Sequence, residues 1–337
     1  AGAYHTDQYQ LFSMIYYRAL TDPRRTLDPS KATSFFIPYD FALDSAYYKN
    51  CARSHGVCYE FRKCPLAPQV EKLLQKSPYY QKNHGKDHVL IVGMNYAMDH
   101  YILKPKCKSL IAGTCSNCTK FAIDDYSYMY SGDVGIKARG NYWHAIPFPS
   151  DFHWTSDVLK PFPWEETNRP ILASYTGSEK SFYGPSRRLR SSLAHYCSLH
   201  SDVCMHRSYG LNGTRYSFKV DGHNPLSISK HSVFCFQPTG DLMTRKGLFD
   251  SILQGCIPVV FDPLTAKVMY TWHWEESFWK DILIELDFHP VSHRYLDPII
   301  ALQNLYNNNR TFIEEKQRKI RSKVFELQYS LHGLISK

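Results

Sequence analysis

What this sequence lacks narrows what the chain can be. It has no apolar run of about 18 residues, the length that would read as a membrane-spanning helix. The opening AGAYHTDQYQ has no basic region followed by an apolar one, so any targeting segment or membrane anchor is expected to have been removed ahead of it. No lysine/arginine block of five or more appears, although 40 Lys+Arg against 31 Asp+Glu leave a net charge of +9. That scatter argues against a nucleic-acid tract and for a basic pocket that takes a phosphorylated ligand. Internal repeats and low-complexity tracts are also missing. A second Cys-x-x-Cys does not follow Cys115-x-x-Cys118, which leaves a zinc site with weak support.

The 337 residues suffice for about two domains, and 43% hydrophobic content excludes a disordered chain. Aromatics reach 15%, a share that suits flat-faced ligands such as sugars and bases. The 10 cysteines fall into clusters at Cys51, Cys58 and Cys64, at Cys107, Cys115 and Cys118, and at Cys197 and Cys204, with Cys235 and Cys256 apart. Three glycosylation sequons begin at Asn117, Asn212 and Asn309. Sequons and an even, high cysteine count together favour an oxidising secretory lumen, where as many as five bridges would brace the chain.

Compact apolar runs at 34–37 and 88–92, separated by the helically spaced Val70–Leu74, point to a doubly wound parallel sheet in the first half. The proline-containing stretch 155–170 reads as a linker. Beyond it the pattern restarts, with a strand at 171–175, a basic helix from Arg187 to Tyr196, a strand at 232–236, a helix from Thr244 to Gln254 stopped by Gly255, and a strand at 256–261. The tail from Asn309 to Leu331 reads as a charged amphipathic helix. Expected domains are 1–165, 166–310, and a C-terminal helix over 311–337 packing toward the first domain.

Most informative is the stretch 232–274, SVFCFQPTGDLMTRKGLFDSILQGCIPVVFDPLTAKVMYTWHW. A glycine-containing loop feeds a helix whose free N–H groups suit an anion. Arg245 and Lys246 are placed in the first turn, Leu248, Phe249, Ile252 and Leu253 form the buried stripe, and Asp250 is spaced to accept from ribose hydroxyls. On spacing alone, an ordinary amphipathic helix with a solvated aspartate fits equally well.

The run FCFQPTGDLMTRKGLFDSILQGCIPVVFDP followed by Tyr270-Thr271-Trp272-His273 resembles the signature of glycosyltransferase family 47, the exostosin-like enzymes, on the plant xyloglucan galactosyltransferase branch. Weaker resemblances lie in Gly85-Lys86-Asp87-His88, Ile37-Pro38-Tyr39 with Asp44, Gly132 to Ile136, Ile146 to Pro149, Ser174 to Gly177, and Arg190 seven residues before Cys197. Lys246-Gly247 stands where the family usually has Arg-Ser, and Trp274 where it usually has Leu.

The resemblance implies an α/β chain of GT-B architecture, two Rossmann-like domains facing a central cleft, and an inverting transfer of a sugar, galactose as first guess, from a UDP-sugar to a glycan hydroxyl. It implies no cofactor and no metal, with the leaving diphosphate met by cationic side chains and helix N-termini. Gly177, Arg190, Gly240, Thr244, Arg245, Lys246 and Asp250 are the expected donor-site residues. An N-domain base would deprotonate the acceptor, with Asp44 slightly preferred over Asp40, His88 and Asp133. Trp272 and His273 are candidates for stacking on a sugar. The expected partners are the donor and a glycan acceptor, with no nucleic acid and with homo- or hetero-oligomerisation open; the expected location is the Golgi lumen. A non-catalytic carbohydrate- or nucleotide-sugar-binding protein that keeps the fold is the alternative.

Overall fold

The computed structural model of the chain describes residues 2–3, 10–51, 56–61, 64–93, 108–124, 142–150, 152–153, 168–179, 181, 184–207, 225–240, 243–287, 297–327 and 329. Asp133, Asn212, Cys107 and most of the proline-containing stretch lie outside the described residues. Two compact units emerge, Thr6–Pro149 and a second made of Ala1–His5 with Ser150–Lys337. The short strand β1 (Gly2–Ala3) joins the second unit by pairing antiparallel with β8 (Phe152–His153).

In the N-terminal unit, α1 (Leu11–Thr21) precedes β2 (Phe35–Phe36) and the short helix α2 (Phe41–Ser45). An antiparallel hairpin of β3 (Ala46–Cys51) and β4 (Gly56–Phe61) follows. Next come α3 (Ala67–Lys76) and α4 (Pro78–Asn83), the latter capped by the Ser77 hydroxyl accepting from Tyr80 N–H. Strands β5 (His88–Val92), β6 (Thr119–Ala122) and β7 (Trp143–Ala145) complete a parallel sheet in the order β2-β5-β6-β7. Leu90, Val92 and Ala122 are fully buried beside Ile37, Tyr39, Phe41 and Leu110, as a parallel sheet covered on both faces requires.

The second unit carries five parallel strands, β9 (Ile171–Thr176), β10 (Cys204–Arg207), β11 (Ser232–Gln237), β12 (Ile257–Val260) and β13 (Ile284–Glu285), in the order β10-β9-β11-β12-β13. Every residue of β11 and β12 is buried. Connecting helices are α5 (Gly184–Leu199), α6 (Pro225–Lys230), α7 (Lys246–Leu253), α8 (Glu276–Ile282), α9 (Pro298–Asn308) and α10 (Arg310–Lys323). Helix α7 buries the expected stripe, and Gly255 follows it with φ +70°, the left-handed stop that glycine takes without strain. Both units therefore have the parallel α/β construction expected of GT-B architecture.

Three expectations need correction. Helix α7 starts at Lys246 and ends at Leu253, shorter than 244–254, because Arg245 is its N-cap residue with extended backbone (φ −146°, ψ 135°). The tail helix ends at Lys323 and passes into a 3₁₀ turn over Val324–Leu327. Lys316 Nζ in this helix donates to the carbonyls of Lys280 and Asp281, and Gln317 Nε2 to that of Gly255. Five disulfides are not reached. Cys197–Cys204 and Cys235–Cys256 are bonded, and Cys64 is in a disulfide, but Cys115 and Cys118 are buried thiols. A hydrogen bond from Cys115 holds the Cys118 thiol below its ordinary range. Among the described residues no third His, Cys, Asp or Glu completes a metal-holding group with them.

Candidate functional site

From β9 the chain passes to β10 on one side, then crosses to β11 on the other. The loops leaving the C-terminal ends of β9 and β11 therefore diverge, and such a switch point opens a crevice suited to a ligand. Gly177 and Ser178 leave β9, while Pro238, Thr239 and Gly240 leave β11. Arg190 ties the two loops together: its Nε donates to the Thr239 carbonyl at 2.9 Å and its Nη1 to that of Ser178 at 3.1 Å. Ser186, in the first turn of α5, meets the Thr239 hydroxyl at 2.7 Å. Arg190 thus braces the loops through main-chain carbonyls.

Arg245 reaches the same place from the start of α7. Its Nη1 donates to the Pro238 carbonyl at 2.9 Å, and its guanidinium lies 6.0 Å from the centre of the Tyr175 ring. Gly177 makes room for it, since a Cβ there would sit 2.9 Å from Arg245 Nη2. The Nε and Nη2 groups donate to no other described residue, so a cation with unused donors is held at the N-terminus of a helix. Two buried oxygens beside it also lack partners: Thr244 Oγ1, and Gln237 Oε1, whose amide nitrogen donates to Ser251 Oγ at 2.7 Å. A buried polar atom without a hydrogen bond is costly; a ligand with hydroxyl or amide groups would satisfy both.

Lys246 and Asp250 form an ion pair at 2.9 Å, and Asp250 also accepts from the Ser150 hydroxyl. In this arrangement Lys246 shares its charge with Asp250, and Arg245 is the stronger anion ligand. Gly240 is buried in the loop itself.

Sequence reasoning missed the floor of this crevice. Tyr175 and His206 are register partners on β9 and β10, and their rings stack at 5.1 Å with only 6° between planes. His206 Nε2 is buried without a partner, and burial lowers the His206 pKa. No local pattern marks His206, because only strand order puts it beside Tyr175.

The N-domain candidates are dispersed. Asp44 is buried, accepting from the Tyr39 hydroxyl at 2.7 Å and the Leu66 N–H at 3.1 Å. Asp40, not Asp44, caps α2, accepting from the Leu43 N–H at 3.0 Å; burial raises its pKa. His88 is buried, with Nδ1 2.8 Å from Asp87 Oδ1 and its ring stacked on Phe35, the setting of a satisfied core histidine. In the YTWH segment, Tyr270 packs edge-on to Phe249 and against Trp279, and all three are fully buried. Trp272 is half exposed, whereas burial lowers the His273 pKa to about 4. Asn117 is half buried, with Nδ2 donating to the His84 carbonyl, and Asn309 is exposed between α9 and α10.

Two α/β units on parallel sheets, one with a glycine- and arginine-lined crevice at its switch point, define the class as GT-B-like. The family model for the Exostosin GT47 domain matches residues 2–277, and the chain belongs to that family. It is similar to three proteins of Arabidopsis thaliana. Probable xyloglucan galactosyltransferase GT20 is 31% identical over 287 residues, 82% of this chain and 46% of that protein. Xyloglucan-specific galacturonosyltransferase 1 is 28% identical over 297 residues (82% and 39%), and Xyloglucan galactosyltransferase MUR3 is 28% identical over 297 (82% and 42%). The chain spans less than half the length of each.

Proposed function

We propose that the chain transfers a sugar from a UDP-sugar to a hydroxyl of a polysaccharide or glycoprotein glycan, with inversion, in the Golgi lumen. Galactose is the first choice of sugar, and the names of the relatives support a hexosyl or hexuronosyl group on a xyloglucan-like acceptor. The observation that carries the reading is Arg245, held with unused donors beside Gly177 and the partnerless Thr244 and Gln237 oxygens.

In the step, the acceptor oxygen bonds to the anomeric carbon as the bond from that carbon to the diphosphate oxygen breaks. The acceptor proton passes to a base, and the diphosphate leaves with the negative charge. Arg245 and the N–H groups that open α7 meet that charge where it develops, which makes them worth more in the transition state than in the ground state. Lys246 adds a second cation, Asp250 accepts from the ribose, and Arg190 holds the two loops in register. No metal or other cofactor is required in this scheme.

The base belongs to the N-terminal unit, from Asp40, Asp44, His88 and Asp133. Of the three that are described, Asp40 fits best, because burial raises its proton affinity above the ordinary carboxylate value. Trp272, half exposed, is the candidate for contact with a sugar ring. Measuring UDP release across a panel of UDP-sugars, with xyloglucan oligosaccharide as acceptor, tests the reading. One donor should give acceptor-dependent release and a product of inverted anomeric configuration. UDP binding without release from any donor would instead support the non-catalytic alternative.

A further inference from the structure

The second unit has another concave site, at the opposite end of its sheet. Among the described residues, a pocket of about 440 Å³ is lined by four arginines, Arg169, Arg310, Arg318 and Arg321, by Tyr306, and by one carboxylate, Glu314. Arg169 lies just ahead of β9, and Val233, also in the lining, stands at the start of β11. The pocket therefore faces the N-terminal ends of the strands whose C-terminal ends carry the crevice with Arg245. Strands of this length separate the two sites by roughly 17–20 Å.

The charges are built into the fold. Arg169 donates to the carbonyls of Ser229, Ser232 and Gln254 at 2.7–3.2 Å, which fixes it in place. The Arg310 guanidinium carbon lies over the Tyr306 ring, 3.4 Å from its centre, and no carboxylate pairs with it among the described residues. Tyr306 is itself held edge-on to Phe234 of β11. Arg310, Gln317 and Arg321 recur at helical spacing along α10 and present one face to the pocket. Arg318 is paired with Glu315.

We propose that this pocket binds an acidic oligosaccharide through its carboxylates, as an anchoring site separate from the donor crevice. A planar guanidinium offers paired N–H groups that match a carboxylate, and the contact with Tyr306 holds the Arg310 guanidinium in place. The volume is within the range of small-molecule sites and far exceeds what a lone inorganic anion fills. The choice of a carbohydrate rests on the function proposed above; the choice of an anion rests on the pocket alone.

The test is titration calorimetry with a short oligogalacturonate, a neutral oligosaccharide of equal length, and inorganic phosphate. Each is titrated into the wild-type chain and into an Arg310→Gln/Arg321→Gln variant; both of these side chains are exposed. The oligogalacturonate should bind wild type at least tenfold more tightly than the other two probes. It should lose at least tenfold in the double variant, while UDP affinity and melting temperature stay unchanged. Equal binding by the double variant, equal binding of the neutral oligosaccharide or of phosphate, or displacement of the oligogalacturonate by UDP would each overturn the proposal. Loss of UDP binding alone would bear on the donor crevice and leave this pocket standing.

Discussion

The two units share a parallel-sheet plan but use their polar groups in opposite ways. In the C-terminal unit, the Arg245 Nε and Nη2 groups donate to none of the described residues, and Thr244 Oγ1, Gln237 Oε1 and His206 Nε2 are buried without partners near the ends of β9, β10 and β11. In the N-terminal unit the comparable groups are already spent: Asp44 on Tyr39 and Leu66, His88 on Asp87. Buried polar atoms left unpaired cost stability; Thr265 Oγ1 and His273 Nε2 carry that cost in the 263–274 segment, so it is the grouping of three such atoms near Arg245, rather than their mere presence, that points to a ligand. The contrast separates groups kept for a ligand around Arg245 from Asp44 and His88, which serve their own core.

The strongest way to break this contrast is at Arg245. Arg245→Ala should cut transfer by roughly 100- to 1000-fold, the usual loss on removing a charge-stabilising donor, with an unchanged melting temperature. A variant that keeps its turnover would remove the crevice from the reaction. Asp40→Asn should likewise lower turnover by about 100-fold or more while UDP affinity is retained, as isothermal titration would show.

A pH titration of stability probes the YTWH segment. His273 titrates near pH 4 in the folded chain because it is buried, against about 6.5 when unfolded. Between those values the unfolded state binds the extra proton. Its contribution is therefore fully present above pH 6.5 and is lost as pH falls toward 4, by on the order of 3 kcal/mol. Urea midpoints at pH 7 and pH 4.5 measure this, and His273→Gln should flatten the difference.

Asp44→Asn should cost about 2 kcal/mol in the same urea assay, since it weakens hydrogen bonds to a charged, buried acceptor. Intact stability with abolished turnover would instead make Asp44 the base and blur the contrast between the units. The smallest expected effect is at Gly177. A methyl group there crowds Arg245, so Gly177→Ala should weaken UDP binding about tenfold, roughly 1.4 kcal/mol, without altering the fold.

Much of the C-terminal unit was legible because its cues are local. The apolar runs at 171–175, 232–236 and 256–261 become β9, β11 and β12, and the Leu248/Phe249/Ile252/Leu253 stripe with Gly255 becomes α7 and its stop. The start of α7 was misplaced by two residues, because Thr244 and Arg245 suit a helix locally but are drawn into the crevice loop. His206 could not be found, since its partner Tyr175 lies on a strand 31 residues away and only the strand order brings them together. Asp44 looked like a cap or a base, yet the groups that engage it, Tyr39 and Leu66, are ordinary residues with no motif. The likeness of YTWHW to a stacking surface concealed a division of labour: Tyr270 and Trp274 are core, and Trp272 alone of the three is half exposed.

The most direct test of the central claim is hydrogen–deuterium exchange of the whole chain with and without saturating UDP. Protection should concentrate in the peptides covering 175–181 and 237–248, the loops after β9 and β11 and the first turn of α7. Protection confined to the N-terminal unit, or none in these loops while UDP is bound, would contradict the assignment of the donor site to this crevice.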